Sequence, residues 1–363
     1  MKNRENIGGS GILLILIILV LLPLVTVLFQ VVCPGLELSE FDLGNLALVL
    51  DVFKRPLWEK AFINSATLSL ATTAIGIIIA GLLANLRVNY DFPFGKLLDI
   101  VSWILMIIPS FILAQGWVYF ASGNGIAKAW LGISGMNDFL FSFPGLVTVM
   151  VLCKYPMAYV AIKAALEWYP AELVHAARMN GASPVRAWLD VQLPLCLPTY
   201  FSAAMLIFMD TVGDYGMSST ITAVYSFPTL PYTIYSAICS SPVRFDMAGV
   251  LSLYLVVMIV IAMILQHYVM GRKRFDYLGN GTMRTMARKP HGLLSAFINV
   301  FTGIFCLVAL GVPVGSNFIM SFSDSFSIER FEFTLENYKR VLQPDGELIV
   351  GIQHSLSLAV IAA

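Results

Sequence analysis

The sequence predicts an all-α polytopic membrane protein, and two observations carry that prediction. Hydrophobic residues fill 58% of the 363 positions and charged residues only 12%, about half the charge of an ordinary soluble domain. The charges are also segregated. Uncharged runs extend over Asn6–Leu36, Ala61–Leu86, Ile100–Ala127, Val191–Met209, Met247–Gly271 and Pro290–Ser323. A bilayer core of ~30 Å needs roughly 20 helical residues to cross, and most of these runs are that long. Phe139–Ile162 is a further candidate, interrupted by Lys154 alone. A β-barrel would show short alternating segments instead.

Taken in order, seven complete spans fit, at about 11–33, 61–86, 98–120, 139–163, 197–216, 246–270 and 293–316, and an eighth begins near 348. The first follows Lys2 and Arg4, as a signal peptide would. Its apolar stretch is too long for one and no A-x-A cleavage site follows, so it reads as a retained helix. Pro109, Pro144 and Pro156 permit kinks, as prolines in membrane helices do.

Basic residues set the expected orientation. With the N-terminus inside, the inner segments hold Lys2, Arg4, Arg87, Lys96, Lys163, Arg178, Arg186, Arg272, Lys273, Arg274, Arg284, Arg288 and Lys289. The outer segments hold Lys54, Arg55, Lys60, Lys128, Arg244, Arg330, Lys339 and Arg340. The inner set is larger, and its dense cluster at 272–289 lies in a short loop, which stays cytoplasmic.

The chain also repeats itself. Phe41–Leu50 (FDLGNLALVL) matches Phe333–Leu342 (FTLENYKRVL), and Asn64–Thr73 (NSATLSLATT) matches His354–Ala363 (HSLSLAVIAA). The offsets are 333 − 41 = 292 and 354 − 64 = 290. Two matches in one order at nearly one offset indicate an internal duplication. The expected organisation is a first unit at 1–275, a cytoplasmic basic linker at 276–292 and the start of a second, truncated unit at 293–363.

Several chemistries have no carrier. There is no G-x4-G-K-[ST] loop, so the chain itself cradles no ATP. It has no H-E-x-x-H motif and no nucleophile elbow. Cys33, Cys153, Cys196, Cys239 and Cys306 are scattered, mostly within apolar runs, and read as small hydrophobes. His175, His267, His291 and His354 lie far apart and suggest no metal site. Acidic and basic residues balance at 22 each, so no basic excess points to nucleic acid. No metal or cofactor is expected in this chain.

One polar stretch stands out, HAARMNGASPVRAWLDVQLP, from His175 to Pro194. Ala171–Asn180 is compatible with a helix, and Gly181 follows it as a C-terminal cap. Ser183 and Pro184 form a helix start, serine as N-cap and proline at the first helical position. Leu173, Ala176 and Ala177 share one face of the first helix, and Val185, Trp188 and Leu189 one face of the second. The stretch 171–196 therefore predicts a compact helix–turn–helix at the membrane surface. On spacing alone, a simple interfacial hairpin fits as well as a docking element.

The spacing A-A-x3-G-x9-hydrophobic-x-L-P, here Ala176, Ala177, Gly181, Val191, Leu193 and Pro194, resembles the cytoplasmic signature of permease subunits of binding-protein-dependent ABC importers. His175 stands where that family has a glutamate. The resemblance implies a type I permease fold, with one six-helix unit and the first one to two helices of a second. It implies that 171–196 is a coupling loop, with His175 and Trp188 among its contact positions, seated in a cytoplasmic ATPase by helix-in-groove recognition. ATP and magnesium would then sit on that ATPase, and substrate would arrive on an extracytoplasmic binding protein. Further stretches, NSATLSLATTAIGIIIAGLLANLRVNYDFPFGKLLDI, IIPSFILAQGWVYFASGNGI, KYPMAYVAIKAALEWYPAEL and MDTVGDYGMSST, look like ferric-iron importer permeases, in which two units are commonly fused. Thiamine, polyamine and phosphonate permeases are close relatives of that branch and stay open as alternatives.

Lys154 and Asp210 are charges within spans. Such a charge costs roughly 2.5–3.5 kcal/mol on insertion scales and should face a partner or a wet cavity. Counted from Lys163 and Pro198, their depths are about 14 and 18 Å at 1.5 Å per residue, close enough to pair. Asp214 lies one turn further on, between Gly213 and Gly216. These three residues are candidates for the translocation path, for an intramembrane ion pair or, for Asp214, for a helix end. A membrane-embedded enzyme using them is the rival class, and a non-transporting fragment is a third reading. No nucleophile–base pair supports the enzyme.

Overall fold

A computed structural model describes residues 17–19, 21–27, 29–36, 42, 44, 47–168, 171–222, 225–271, 288–323, 332–343 and 347–362. Among them the secondary structure is helical and no strand is formed. The principal helices are α1 (Pro56–Asn89), α2 (Phe94–Ile107), α3 (Ser110–Ala121), α4 (Phe143–Glu167) and α5 (Ala171–Met179). They continue as α6 (Val185–Val212), α7 (Leu230–Cys239), α8 (Phe245–Gly271), α9 (Gly292–Ser321), α10 (Glu336–Val341) and α11 (Glu347–Ala362). Five of these, α1, α4, α6, α8 and α9, are long and apolar enough to cross a membrane; α2 and α3 make a sixth if counted as one broken span. The protein is an all-α polytopic membrane protein.

The spans read from sequence at 61–86, 139–163, 246–270 and 293–316 correspond to α1, α4, α8 and α9. Two others need correction. The span at 98–120 is not straight: Phe94–Ile107 and Ser110–Ala129 meet at a bend of 108°. Pro109 explains it. Proline disfavours the α conformation in the residue before it, and Ile108 is extended at φ −70°, ψ 126°. The span at 197–216 starts earlier, runs without a break from the polar stretch and ends at Val212. Pro156, by contrast, is absorbed inside α4. The first span and the basic cluster at 272–289 lie partly or mostly outside the described residues.

The chain divides into two compact units, one formed by 1–88 with 157–287 and the other by 89–156 with 288–363. In the first unit, Val31, Trp58, Ala61, Val212, Leu230, Val250, Leu251 and Met258 form a buried apolar cluster. The α1 face turned inward is built from small residues, including Ser65, Ser69, Thr72, Gly76, Ala80 and Ala84. Its outer face carries Ile63, Leu70, Ile78 and Leu82. Lipid is as apolar as leucine, so helix pairing gains nothing from hiding large side chains. Small residues that let backbones approach supply the contact. A Cβ on Gly76 would sit 3.1 Å from Ile207 Cδ1, and one on Gly81 only 2.6 Å from Tyr200 Cε1. These glycines let α6 lie directly on α1. Asn64 Nδ2 donates to Pro228 O at 2.9 Å, and Leu230 N–H donates to Ser65 Oγ at 2.7 Å. These two bonds fix the other end of α1 to the start of α7.

In the second unit α2 lies along the first part of α9 and α3 along the last part. Gly116 is indispensable to the latter contact, because a Cβ there would be 2.1 Å from the Pro313 carbonyl oxygen. Asn317 Nδ2 donates to Ile112 O at 2.8 Å across the same contact. Tyr155 of α4 is wholly buried. Its hydroxyl lies 3.2 Å from Ser102 Oγ, and its ring meets Phe305 edge-on at 5.0 Å.

Candidate functional site

The polar stretch folds as its residues dictate. α5 carries Glu172 in its first turn and Arg178 in its last, each charge matched to the helix dipole. Gly181 adopts φ +88°. Its N–H donates to Arg178 O at 3.1 Å, and the Ala182 N–H donates to Ala177 O at 3.1 Å. That pair of bonds is the Schellman closure of a helix, and it needs a left-handed residue where glycine stands. The next helix starts with Ser183 Oγ accepting the Arg186 N–H at 3.2 Å, as an N-cap should. The difference from expectation is in the second arm. It is the first turn of α6 rather than a separate surface helix, so hairpin and membrane span share one rod.

The hairpin exposes four large apolar side chains. Leu173 is 43% exposed, Met179 90%, Val185 65% and Leu189 46%. His175 and Ala176 are also exposed, and Ala177 is half-buried. Trp188 is half-buried and Ala187 fully buried, so the tryptophan points less outward than its spacing suggested. Met179 at the tip, which spacing alone did not single out, is the most open of the four. Val191 and Leu193 are half-buried and Pro194 exposed; these three belong to the junction with the span, not to the tip.

That junction is unusual. Trp188–Gln192 forms a π turn, closed by the Leu193 N–H donating to Trp188 O. Pro194 follows one residue later. A proline in a helix has no N–H and its ring crowds the carbonyl four residues back, and a local π turn relieves both problems. The same arrangement recurs in α9, where Leu307–Gly311 is a π turn ahead of Pro313. Gln192 ends the first of these turns and is 5% exposed. Its Nε2 donates to Asn85 Oδ1 at 3.0 Å. Asn85 Nδ2 in turn donates to Gly81 O and to Tyr200 Oη, both at 2.8 Å. Sequence reasoning missed all three residues. Their only signal was an amide in each of two apolar runs, 107 positions apart.

The intramembrane charges are distributed as follows. Lys154 is 8% exposed and Asp214 7%, while Asp210 is half-buried. Lys154 falls in one compact unit, Asp210 and Asp214 in the other. Asp214 has a visible task. Helix α6 stops at Val212, and Asp214 Oδ1 accepts the Met217 N–H at 2.8 Å, capping the short helix Tyr215–Met217. Among the described residues no three His, Cys, Asp or Glu side chains gather where a metal could sit.

Comparison with known proteins completes the assignment. Residues 72–275, which include the hairpin, match the family of binding-protein-dependent transport system inner membrane components. The trehalose transport permease SugB of Mycobacterium tuberculosis is 27% identical over 183 residues, half of this chain and 62% of that protein. The molybdenum transport permease ModB of Escherichia coli is 30% identical over 194 residues, half of this chain and 80% of its own length. The chain thus spans less than two thirds of the first relative and most of the second. In fold it resembles a chain in the crystal structure of a bacterial alginate ABC transporter bound to its periplasmic protein. The TM-score is 0.57 at 16% identity, covering 77% of this chain and 98% of that one. The chain belongs to the family of binding-protein-dependent transport system inner membrane components: it is a multi-pass permease subunit of an ABC importer, and a transporter subunit rather than an enzyme.

Proposed function

We propose that this permease couples an ATPase to solute uptake through residues 171–196, with His175, Ala176, Ala177, Gly181, Trp188, Val191, Leu193 and Pro194 as the signature of the coupling loop. The observation that carries the reading is the exposure of Leu173, Met179, Val185 and Leu189 on a capped hairpin. Exposed apolar side chains on a helical hairpin suit a groove in a cytoplasmic partner. ATP and magnesium would be held by that partner, and the solute delivered by a binding protein on the opposite side. The imidazole of His175 cannot supply the carboxylate the family has at that place, so one polar contact would differ. The test is co-purification with the ATPase. Val185→Asp with Leu189→Asp puts two charges on the docking face and should cut recovery at least tenfold while the permease still inserts. Undiminished recovery would leave the hairpin as an interfacial element only.

The cargo follows from narrower grounds. Four stretches resemble ferric-iron permeases, and ferric iron is the cargo they propose; the molybdenum permease, 30% identical, supports an oxyanion as the second reading. Uptake of radiolabelled iron against radiolabelled molybdate, by the transporter with its own binding protein, separates them. The duplication supports a first unit at 1–275 and a second beginning after the linker at 276–292. Pro23 and Pro313 add a third correspondence at 313 − 23 = 290 residues. Lys154, Asp210 and Asp214 are proposed as groups of the translocation path, with Lys154 and Asp210 as an ion pair on their depth in the sequence. If they pair, Lys154→Met with Asp210→Leu should accumulate better than either single variant, because a lone buried charge is worse than none.

A further inference from the structure

We propose that Gln192, Asn85 and Tyr200 form a polar latch that makes α1 move with the hairpin. The proposal rests on reading 171–196 as the coupling loop and adds the route by which its displacement leaves it. Three observations converge. The first is burial: a side-chain amide at 5% exposure is tolerated only when hydrogen-bonded. Gln192 meets that need on another helix rather than on its own backbone, donating to Asn85 at 3.0 Å.

The second is saturation of Asn85. Its amide group donates to Gly81 O on its own helix and to Tyr200 Oη on α6, while its oxygen accepts from Gln192. One asparagine of α1 therefore holds two points of α6, eight residues apart. The third is position. Gln192 closes the π turn Trp188–Gln192, a local break in the regular helix ladder. The exposed Val185 lies before that turn and the exposed Leu189 within it. Without an anchor, a push on the hairpin could be taken up at the π turn. With Gln192, the last residue of the turn, tied to Asn85, the push reaches α1 as well as α6. The bare face at Gly81, against which the Tyr200 ring lies, keeps the two helices close enough for these bonds. These are positioning residues; none of them is argued to touch the solute.

The experiment uses the full permease in complex with its ATPase in lipid nanodiscs. Cys239, the exposed native cysteine, is changed to Ser, and a bimane fluorophore is attached at Leu82→Cys on the outer face of α1. Trapping with ATP, magnesium and vanadate should shift its emission in the otherwise native protein. Asn85→Leu or Gln192→Leu should reduce that shift at least fivefold with the ATPase still bound. Tyr200→Phe, which removes one hydroxyl and little packing, should reduce it about twofold. Asn85→Gln combined with Gln192→Asn keeps the summed reach and should restore the shift to within twofold of native. A shift absent from native protein, unchanged in the leucine variants, or lost only together with ATPase binding would overturn the latch. The coupling-loop reading fails by a different measurement, ATPase recovery with Val185→Asp and Leu189→Asp.

Discussion

At the scale of single residues, the glycines make the sharpest predictions, because what a methyl group would meet differs at each. At Gly116 it would be 2.1 Å from a backbone carbonyl, which cannot rotate away. At Gly81 it would be 2.6 Å from a tyrosine ring that is itself hydrogen-bonded. At Gly181 there is open space, but φ is +88°. At Gly315, in mid-helix, there is open space and ordinary helical backbone. Overpacking costs typically ~1–3 kcal/mol, and a left-handed L-residue roughly 1–2 kcal/mol. A glycine replaced by alanine inside a helix gains up to ~1 kcal/mol. Gly116→Ala should therefore lower the thermal midpoint of the detergent-solubilised protein most, with Gly81→Ala and Gly181→Ala next. Gly315→Ala should leave it unchanged or higher. Thermal unfolding of the four variants checks the order, and a Gly116→Ala protein as stable as the native one would refute the close α3–α9 contact.

At the scale of elements, the π turns Trp188–Gln192 and Leu307–Gly311, unlike a third at Ser218–Thr222, are each followed directly by an X-Pro step, at Leu193-Pro194 and Val312-Pro313. If proline forces the wider turn, Pro194→Ala should let the ladder regularise and turn Gln192 away from Asn85. The expected result is a loss of disulfide formation between Asn85→Cys and Gln192→Cys when Pro194→Ala is added, read by gel shift under mild oxidation. Crosslinking as efficient as before would mean the turn is held by its neighbours instead. The same elements show what was legible in the sequence. Uncharged runs gave the long helices, since a helix that must cross lipid advertises its length. Gly181 and Ser183 gave the hairpin, since caps are written in one or two residues. The break at Pro109 and the early start of α6 were harder. A proline can be absorbed, as Pro156 is, or can end a helix, as Pro109 does, and the choice is made by what packs around it. Gln192, Asn85 and Tyr200 were illegible because only the fold brings residues 107 positions apart into contact.

At the scale of the whole first unit, the structure places Arg87, Arg178 and Arg186 at one end. The Gln192–Asn85 bond puts the hairpin, with Arg178 and Arg186, beside the last turn of α1, which carries Arg87. Gln266 Nε2 donates to Ser202 Oγ at 3.3 Å, so α8 finishes near the same end at Gly271, and the basic run Arg272–Lys289 follows it in the sequence. The opposite end holds the bonds from Asn64 to Pro228 O and from the Leu230 N–H to Ser65 Oγ, together with Lys54, Arg55, Lys60 and Arg244. Arg244 is neutralised there by Asp246, with bonds of 3.0 and 2.9 Å. Positively charged short loops remain on the cytoplasmic side, so the hairpin end is expected to face the cytoplasm. The native cysteines supply an internal control. Cys239, at the end of α7, is exposed, and the Arg244 N–H bonds back to Ala237 O at 2.9 Å, which puts it at the opposite end. In intact cells a membrane-impermeant maleimide should label Cys239 and should not label Ser183→Cys in a Cys239→Ser background. In inside-out vesicles the pattern should reverse. Labelling of Ser183→Cys from outside would invert the unit, remove the hairpin from any cytoplasmic ATPase and with it the proposed coupling role.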